Sequence, residues 1–365
     1  MQDTHFMSIA LQMAQGTKGQ TSPNPLVGAV VVKDGNIIGL SAHLRAGEPH
    51  AEVHALRMAG KKAQGATIYV TLEPCSHHGR TPPCAEAIIQ AGIARVVIAV
   101  TDPNPLVSGR GVAILREAGI DVSVGVLETE AKRLNEVFFH YISTGLPFVT
   151  VKTASTLDGK VATSTGHSRW ISGEKAREEV HVLRTQHDAI LVGVNTVIAD
   201  DPALTARLDV PTRQPVRIVL DSSCRIPLTA QLLLDQKAPT WIFTTHAAPA
   251  EKRAQLEAAG ARVIRVDGQH NQVDIQTMLR HLGEAGITSL LVEGGAAVNG
   301  AFLSAKAIQK VISYISLKMV GGQAAPTSFG GVGVERMEQA ILLKETEVER
   351  ISDTDIRITG YPDWS

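Results

Sequence analysis

A histidine, a glutamate and two cysteines stand out because their types and order suit metal-assisted hydrolysis: His50-Ala51-Glu52, Pro74-Cys75 and Pro83-Cys84. Two thiolates and one imidazole fill three corners of a tetrahedral zinc site and leave the fourth open to water, as a catalytic rather than a structural site requires. Each cysteine follows a proline, and a helical pattern opens at Cys84, so that sulfur lies at a helix N-terminus, which favours the thiolate. Glu52, near the first turn of another helical stretch, can reach the activated water, accept its proton and pass it to a leaving amine. That is hydrolytic deamination. Zinc deaminases show His-x-Glu followed by Pro-Cys-x-x-Cys. Here the cysteines are nine apart, with SHHGRTPP between them.

A peptidase reading of His50 and His54 fails on spacing, because the His-Glu-x-x-His glutamate follows the first histidine immediately and Glu52 lies one residue further on. His54 is then a supporting or packing residue. His77, His78 and Arg80 read equally as solvated loop residues or as substrate contacts. Asn24 in SPNP and Asn104 in DPNP each flank a strand, where a carboxamide could read a heterocycle edge or simply make a turn. Cys224 lies apart from these motifs and reads as an inert thiol at a strand end.

Positioning these groups requires an α/β scaffold. A helix over 4–15 precedes a hairpin, 27–32 and 36–40, joined by Asp34-Gly35. Helices over 50–59, 84–90, 111–118 and 129–141 then alternate with strands over 66–72, 94–100 and 121–126, a three-layer α/β/α pattern. The breaker run Ser143-Thr144-Gly145-Leu146-Pro147 marks a boundary, giving domains 1–146 and 147–365. The second part repeats the alternation, with strands over 148–152, 189–194, 216–221, 240–244, 262–266, 289–293 and 310–317. Its helices span 174–186 and 273–284, and alternating isoleucines in 346–361 predict a late hairpin.

The second part carries weaker chemistry. KTASTLDGK from Lys152 and Val292-Glu293-Gly294-Gly295 follow strands, where glycine lets backbone N–H groups approach a pyrophosphate, although tight turns look the same. Asp221-Ser222-Ser223 with Arg225 reads as an ordinary loop or as a seat for the ribose 2′-phosphate of NADPH. Arg184 and Arg207 are candidates to clamp a substrate phosphate.

Composition bounds the rest. The chain has 365 residues, 44% hydrophobic and 19% charged, which excludes a disordered polymer. Its net charge of −1 provides no general field for nucleic acid or an anionic membrane. Three cysteines argue against a disulfide framework and for a reducing compartment. Neither a leader pattern nor an apolar run of about 18 residues is present, so the expectation is a cytoplasmic protein without a membrane partner.

SPNPLVGAVVVKDG, HAEVHAL, TLEPCSHHGRTPPC and DPNP, then KTASTLDGK, SRWIS, GVNTVIADDPALTAR and VEGG, together resemble the family of bifunctional riboflavin-biosynthesis deaminase/reductases. The likeness spans essentially the whole chain, and the widened cysteine spacing is the one this family uses. It implies a cytidine-deaminase-like α/β/α domain followed by a dihydrofolate-reductase-like α/β domain, with zinc in the first and NADPH in the second. The implied reactions are hydrolytic removal of the 2-amino group of 2,5-diamino-6-ribosylamino-4(3H)-pyrimidinone 5′-phosphate and reduction of the ribosyl chain of 5-amino-6-(5-phosphoribosylamino)uracil to ribityl. The matching positions put Ala154, Trp170, Thr196, Asp200, Ser222 and the loop Gly295, Ala296, Ala297, Val298, Asn299, Gly300 and Ala301 on NADPH. Ser168, Arg184, Leu204, Arg207 and Glu293 fall on substrate, and Lys152 is a further polar contact near the reacting sugar. Homo-oligomers are expected for this family, and nucleic acid is not an expected partner. Two other readings compete: a nucleic-acid base deaminase with an accessory C-terminal domain, and a non-catalytic, metal-stabilised binding protein.

Overall fold

The computed structural model describes residues 2–76, 83–104 and 108–365. The chain divides into two compact units, Met1–Gly145 and Leu146–Ser365. His77, His78 and Arg80 lie outside the described residues.

The first unit contains β1 (Gly28–Lys33), β2 (Asn36–Ala42), β3 (Thr67–Val70), β4 (Arg95–Ile98) and β5 (Asp121–Val124), in the order β2-β1-β3-β4-β5. β1 runs antiparallel to β2 and β3, while β3, β4 and β5 are parallel. Asp34 and Gly35 both take positive φ, 50° and 76°, the conformation that a two-residue hairpin needs to match strand twist. Successive residues of β1, β3 and β4 are buried, so both sheet faces are covered, and apolar runs rather than alternation mark these strands. Helices Gln2–Gln15, Ala51–Ala59, Cys84–Gln90 and Arg110–Glu117 pack around it.

One expected helix, 129–141, is instead two, Glu128–Leu134 and Glu136–Thr144, interrupted at Asn135. The break has a physical cause. Asn135 is buried, and its carboxamide accepts from Leu26 N at 2.8 Å and donates to Leu26 O at 2.9 Å, acting as a strand neighbour for the segment before β1.

The second unit contains β6 (Phe148–Thr156), β7 (Ala189–Gly193), β8 (Val216–Leu220), β9 (Thr240–Thr244), β10 (Arg262–Arg265), β11 (Ser289–Val292), β12 (Lys310–Ser316), β13 (Leu343–Arg350) and β14 (Asp355–Pro362). The order is β10-β9-β8-β7-β11-β6-β12-β14-β13, with β10 through β12 parallel and β14 antiparallel to both neighbours. The late hairpin is thus an addition at the sheet edge. Helix Ala250–Ala258 was not anticipated; only Leu256 in it is buried, which leaves no apolar stripe to read. Helix Val194–Asp200 also went unread, because its sequence continues the apolar run of β7. Among the described residues, no helix is long and apolar enough to cross a membrane.

Candidate active sites

In the first unit the metal-ligand candidates start two helices. His50 is the residue before helix Ala51–Ala59, in extended conformation, and Cys84 is the first residue of helix Cys84–Gln90, preceded by Pro83. Cys75 sits on the loop after β3. One donor atom from each of His50, Cys75 and Cys84 lies within 4.8 Å of the others. His50 Nδ1 is 3.2 Å from Cys84 Sγ and 3.6 Å from Cys75 Sγ. Zinc bonds of about 2.3 Å to sulfur and 2.0–2.1 Å to nitrogen give a tetrahedral N···S edge of about 3.6 Å, so this donor set fits zinc. Cys84 N donates to Cys75 Sγ at 3.2 Å. The Cys84 side chain draws the Cys75 thiol down to about 4 against the effect of burial, with help from His50. Sharing that hydrogen bond and burial both push the Cys84 thiol up.

Glu52 is 3% exposed, and its Oε2 has no hydrogen-bond partner among the described residues. Burial raises its carboxyl above the ordinary value, and a thiolate at Cys75 adds to that. An unpartnered buried carboxylate oxygen beside three metal donors is costly unless a ligand completes it.

Two supporting residues were not recognised in the sequence. Glu73, directly before Pro74-Cys75, is buried and accepts from Asp102 N, Gly109 N and Val112 N at 3.2, 3.0 and 3.2 Å. It ties the ligand loop to the start of helix Arg110–Glu117, and Gly111 of that helix lies so close to Pro74 O that a Cβ would collide. A charged residue abutting a ligand motif was the available signal. His43 Nε2 lies 3.1 Å from Asn24 Nδ2, and its ring packs edge-on to His50 at 5.3 Å between centroids. Nothing in the spacing foretold that pairing. Asn104 N donates to Asp102 Oδ1 at 2.9 Å, a turn contact.

In the second unit the candidate residues collect at the carboxyl ends of the parallel strands, where open α/β sheets bind ligands. Glu293 follows β11, Thr196 and Asp200 lie on the helix after β7, and Ser222 follows β8. Arg184 holds Glu293 through two bonds, Nε to Oε1 at 2.8 Å and NH2 to Oε2 at 3.0 Å, while Lys152 Nζ lies 3.7 Å from Oε2. Burial would raise the Glu293 carboxyl, but Arg184 and Lys152 outweigh it and hold it at about 2. Burial lowers the Lys152 amine. Arg184 NH1 donates to Thr205 O at 3.0 Å, so its fork is mainly committed to the protein, whereas Arg207 is exposed.

Gly295 precedes helix Ala296–Ser304, and a Cβ there would meet only Thr196 Oγ1, at 3.9 Å. Among the described residues, no packing contact demands glycine at this point. Open space between two strand ends at a helix N-terminus fits a dinucleotide pyrophosphate. Asn299 and Gly300 are buried further along; Asn299 Nδ2 donates to Ser328 O at 2.8 Å, and Gly300 packs against Gly330 O. Ala296 O accepts from Gly330 N at 2.9 Å, and Ala297, Val298 and Ala301 complete the helix's first two turns. Trp170 is exposed with the Arg177 guanidinium 4.5 Å over its ring, and Ser168 and Ala154 are half-buried. Leu204 is buried with φ 49°. Asp221 turns inward to accept from Ile226 N at 2.8 Å, while Arg225 donates to Asn195 Oδ1 at 2.7 Å.

Residues 147–355 match the RibD C-terminal domain family, and residues 1–100 match the cytidine and deoxycytidylate deaminase zinc-binding region. The chain is 48% identical over 360 residues to the riboflavin biosynthesis protein RibD of Bacillus amyloliquefaciens, covering 99% of this chain and 96% of that one. Against RibD of Escherichia coli K12 it is 44% identical, covering 99% and 100%. A crystal form of Acinetobacter baumannii RibD superposes with a TM-score of 0.89 at 41% identity, covering 99% of both chains. The diaminohydroxyphosphoribosylaminopyrimidine deaminase/5-amino-6-(5-phosphoribosylamino)uracil reductase of Thermotoga maritima gives 0.83 at 39%, again covering 99% of both. The first unit is accordingly cytidine-deaminase-like and zinc-binding, and the second is a reductase unit of dihydrofolate-reductase type.

Proposed function

This chain belongs to the RibD family, and from that premise we propose that it catalyses two successive steps of riboflavin biosynthesis on one phosphorylated pyrimidine. The first unit hydrolytically deaminates 2,5-diamino-6-ribosylamino-4(3H)-pyrimidinone 5′-phosphate at C2, releasing ammonia. The second reduces the ribosyl group of 5-amino-6-(5-phosphoribosylamino)uracil to ribityl with NADPH. The observation that carries the reading is Glu52 Oε2, which has no hydrogen-bond partner among the described residues and is buried beside the His50, Cys75 and Cys84 donors.

His50, Cys75 and Cys84 would hold zinc, which when bound supplies the Lewis acidity that makes water nucleophilic near neutral pH. Glu52 then accepts the proton from the attacking water and delivers it to the departing amino group, so one carboxylate serves as base and acid in turn. Glu73 and His43 keep the ligand loop and the His50 ring in place.

In the second unit NADPH, when bound, supplies hydride to C1′ once the sugar ring has opened to an imine. Gly295, Thr196, Asp200, Ser222, Ala154, Trp170 and the start of helix Ala296–Ser304 form its seat. Arg207 and Ser168 serve the sugar phosphate side, and Leu204, whose side chain is buried in the core, contributes there through its backbone. Arg184 fixes the Glu293 carboxylate, and Glu293 and Lys152 orient the reacting sugar, which is mainly a positioning task. We further place the enzyme in the cytoplasm, acting on free nucleotides rather than nucleic acid, a reading supported by its three free cysteines and net charge of −1, and as a homo-oligomer on the family resemblance alone. An assay following ammonia release and NADPH oxidation separately tests the function. Deamination of tRNA or single-stranded DNA in place of the small nucleotide would overturn it.

A further inference from the structure

Leu204 and Arg207 lie in a segment, residues 203–207, that has no regular structure. Among the described residues it makes no backbone–backbone hydrogen bond. Leu204 occupies the left-handed region, which side chains rarely adopt, so surrounding contacts must specify its conformation. Those contacts come from side chains. Arg217 NH1 donates to Ala203 O at 3.3 Å, and Arg184 NH1 donates to Thr205 O at 3.0 Å. Gln214 Oε1 accepts from Ala206 N at 2.8 Å while Gln214 Nε2 donates to Ala206 O at 2.9 Å. Arg207 N donates to His181 Nδ1 at 3.4 Å.

Gln214 differs from the other three in taking both backbone groups of one residue, the residue directly before Arg207. A carboxamide carries one acceptor and one donor face, so it reproduces what a neighbouring strand would offer there. Its own backbone is anchored: Arg213 pairs with buried Asp188 at 3.0 Å, and Pro215 leads into β8. Gln214 caps no helix and is only half-buried, so neither helix ends nor core packing accounts for it. Arg207, in contrast, is exposed, and among the described residues its side chain hydrogen-bonds only Thr205 Oγ1, at 3.4 Å. Its backbone therefore fixes where the side chain starts, and so the region the guanidinium can reach.

We propose that Gln214 is a positioning residue of the reductase, holding Ala206 at both its N–H and its C=O so that Leu204 and Arg207 meet the sugar phosphate side of the substrate. The inference rests on the reductase reading above. His181 acts with it: burial, then the Arg184 and Arg207 charges, lower its pKa to about 4, so the neutral ring accepts the Arg207 N–H at ordinary pH. Gln214 touches neither reactant and works through the segment.

The test is steady-state reduction of 5-amino-6-(5-phosphoribosylamino)uracil by the full-length protein, comparing wild type with Gln214→Ala, Gln214→Glu, Arg207→Ala and the double variant Gln214→Ala/Arg207→Ala. Gln214→Ala should raise the substrate KM about tenfold, with kcat changed less and with the NADPH KM and ammonia release within about twofold of wild type. Gln214→Glu keeps the acceptor and loses the donor, so its substrate KM should fall between the two. In the Arg207→Ala background the Gln214→Ala substitution should add at most about threefold, because the two act through one placement. An unchanged substrate KM in Gln214→Ala, an equal effect in both backgrounds, or a parallel rise in both KM values would overturn the positioning role. A wild-type protein that fails to oxidise NADPH with this substrate would overturn the reductase reading, and with it this inference; an active wild type with an indifferent Gln214→Ala would overturn the inference alone.

Discussion

In the first unit the metal-donor atoms of His50, Cys75 and Cys84 lie within 4.8 Å of one another, two of these residues at the starts of helices, whereas in the second the candidate contacts are spread over the carboxyl ends of β6, β7, β8 and β11. The first site depends on side-chain identity: no other residues would supply two thiolates, an imidazole and a buried carboxylate. The second depends on where backbone and charge are held, with a glycine facing open space, a leucine in left-handed conformation, and a carboxylate fixed between Arg184 and Lys152. Both share one device. Asn135 in the first unit and Gln214 in the second each grip the N–H and C=O of a residue beside a functional segment, so irregular backbone is placed by a carboxamide instead of a strand. The contrast predicts that damage to the first site removes chemistry outright, while damage to the second weakens placement and stability.

The largest effect should follow Cys75→Ala. Zinc content, measured by elemental analysis, should fall from about one per chain to near zero, and ammonia release should vanish, while reduction of pre-deaminated substrate continues. Loss of both activities in a folded variant would break the separation of the two sites. Glu52→Gln sharpens the contrast within the first site. It should retain zinc but slow ammonia release by about 10²–10⁴-fold, the range expected for removing a proton-transfer group. Turnover equal to wild type would remove Glu52 from the chemistry.

Smaller effects belong to the scaffolding. Glu293→Gln leaves Arg184 and Lys152 buried without their partner, and should destabilise the second unit by about 3–5 kcal/mol at pH 7 in urea unfolding. The Glu293 carboxyl is held at about 2 in the folded protein, below its ordinary 4.5, so it stabilises the fold above its unfolded pKa. That contribution is lost as pH falls from about 4.5 towards about 2, so the gap between wild type and Glu293→Gln should narrow over that window; a gap independent of pH would count against the ion pair. Asn135→Ala leaves Leu26 N–H and C=O buried without partners, and should cost about 1–3 kcal/mol in the first unit's unfolding transition while reduction is untouched.

The same contrast explains what the sequence made readable. Cysteine is rare, with three in 365 residues, and the spacing of Cys75 and Cys84 with His50, Glu52, Pro74 and Pro83 pointed directly to a metal site that the fold assembles. The strands were readable as apolar runs, and Asp34-Gly35 announced the hairpin. Asn135 was hidden because an asparagine within an apolar helical pattern looks tolerable, and only its long-range bond to Leu26 reveals a break. The helix Ala250–Ala258 was hidden because Leu256 is its one large apolar residue, the rest being alanine or polar. In the second unit, Gly294-Gly295 could be read only as a turn able to hold a pyrophosphate, Ala154 and Leu204 bear no functional group to recognise and were picked out by the family resemblance alone, and Gln214 and His181 gave no signal at all. Backbone placement is specified by contacts far apart in the chain, which a local pattern does not record.

The central claim is that one chain carries two chemically separate active sites acting in sequence. It is tested most directly by incubating the purified protein with 2,5-diamino-6-ribosylamino-4(3H)-pyrimidinone 5′-phosphate and NADPH, with and without a zinc chelator, while recording ammonia and NADPH on the same sample. The prediction is that ammonia appears before NADPH falls, that the chelator stops both, and that adding 5-amino-6-(5-phosphoribosylamino)uracil restores NADPH oxidation alone. NADPH oxidation that stays blocked by the chelator after that addition, or ammonia release that needs no zinc, would contradict it.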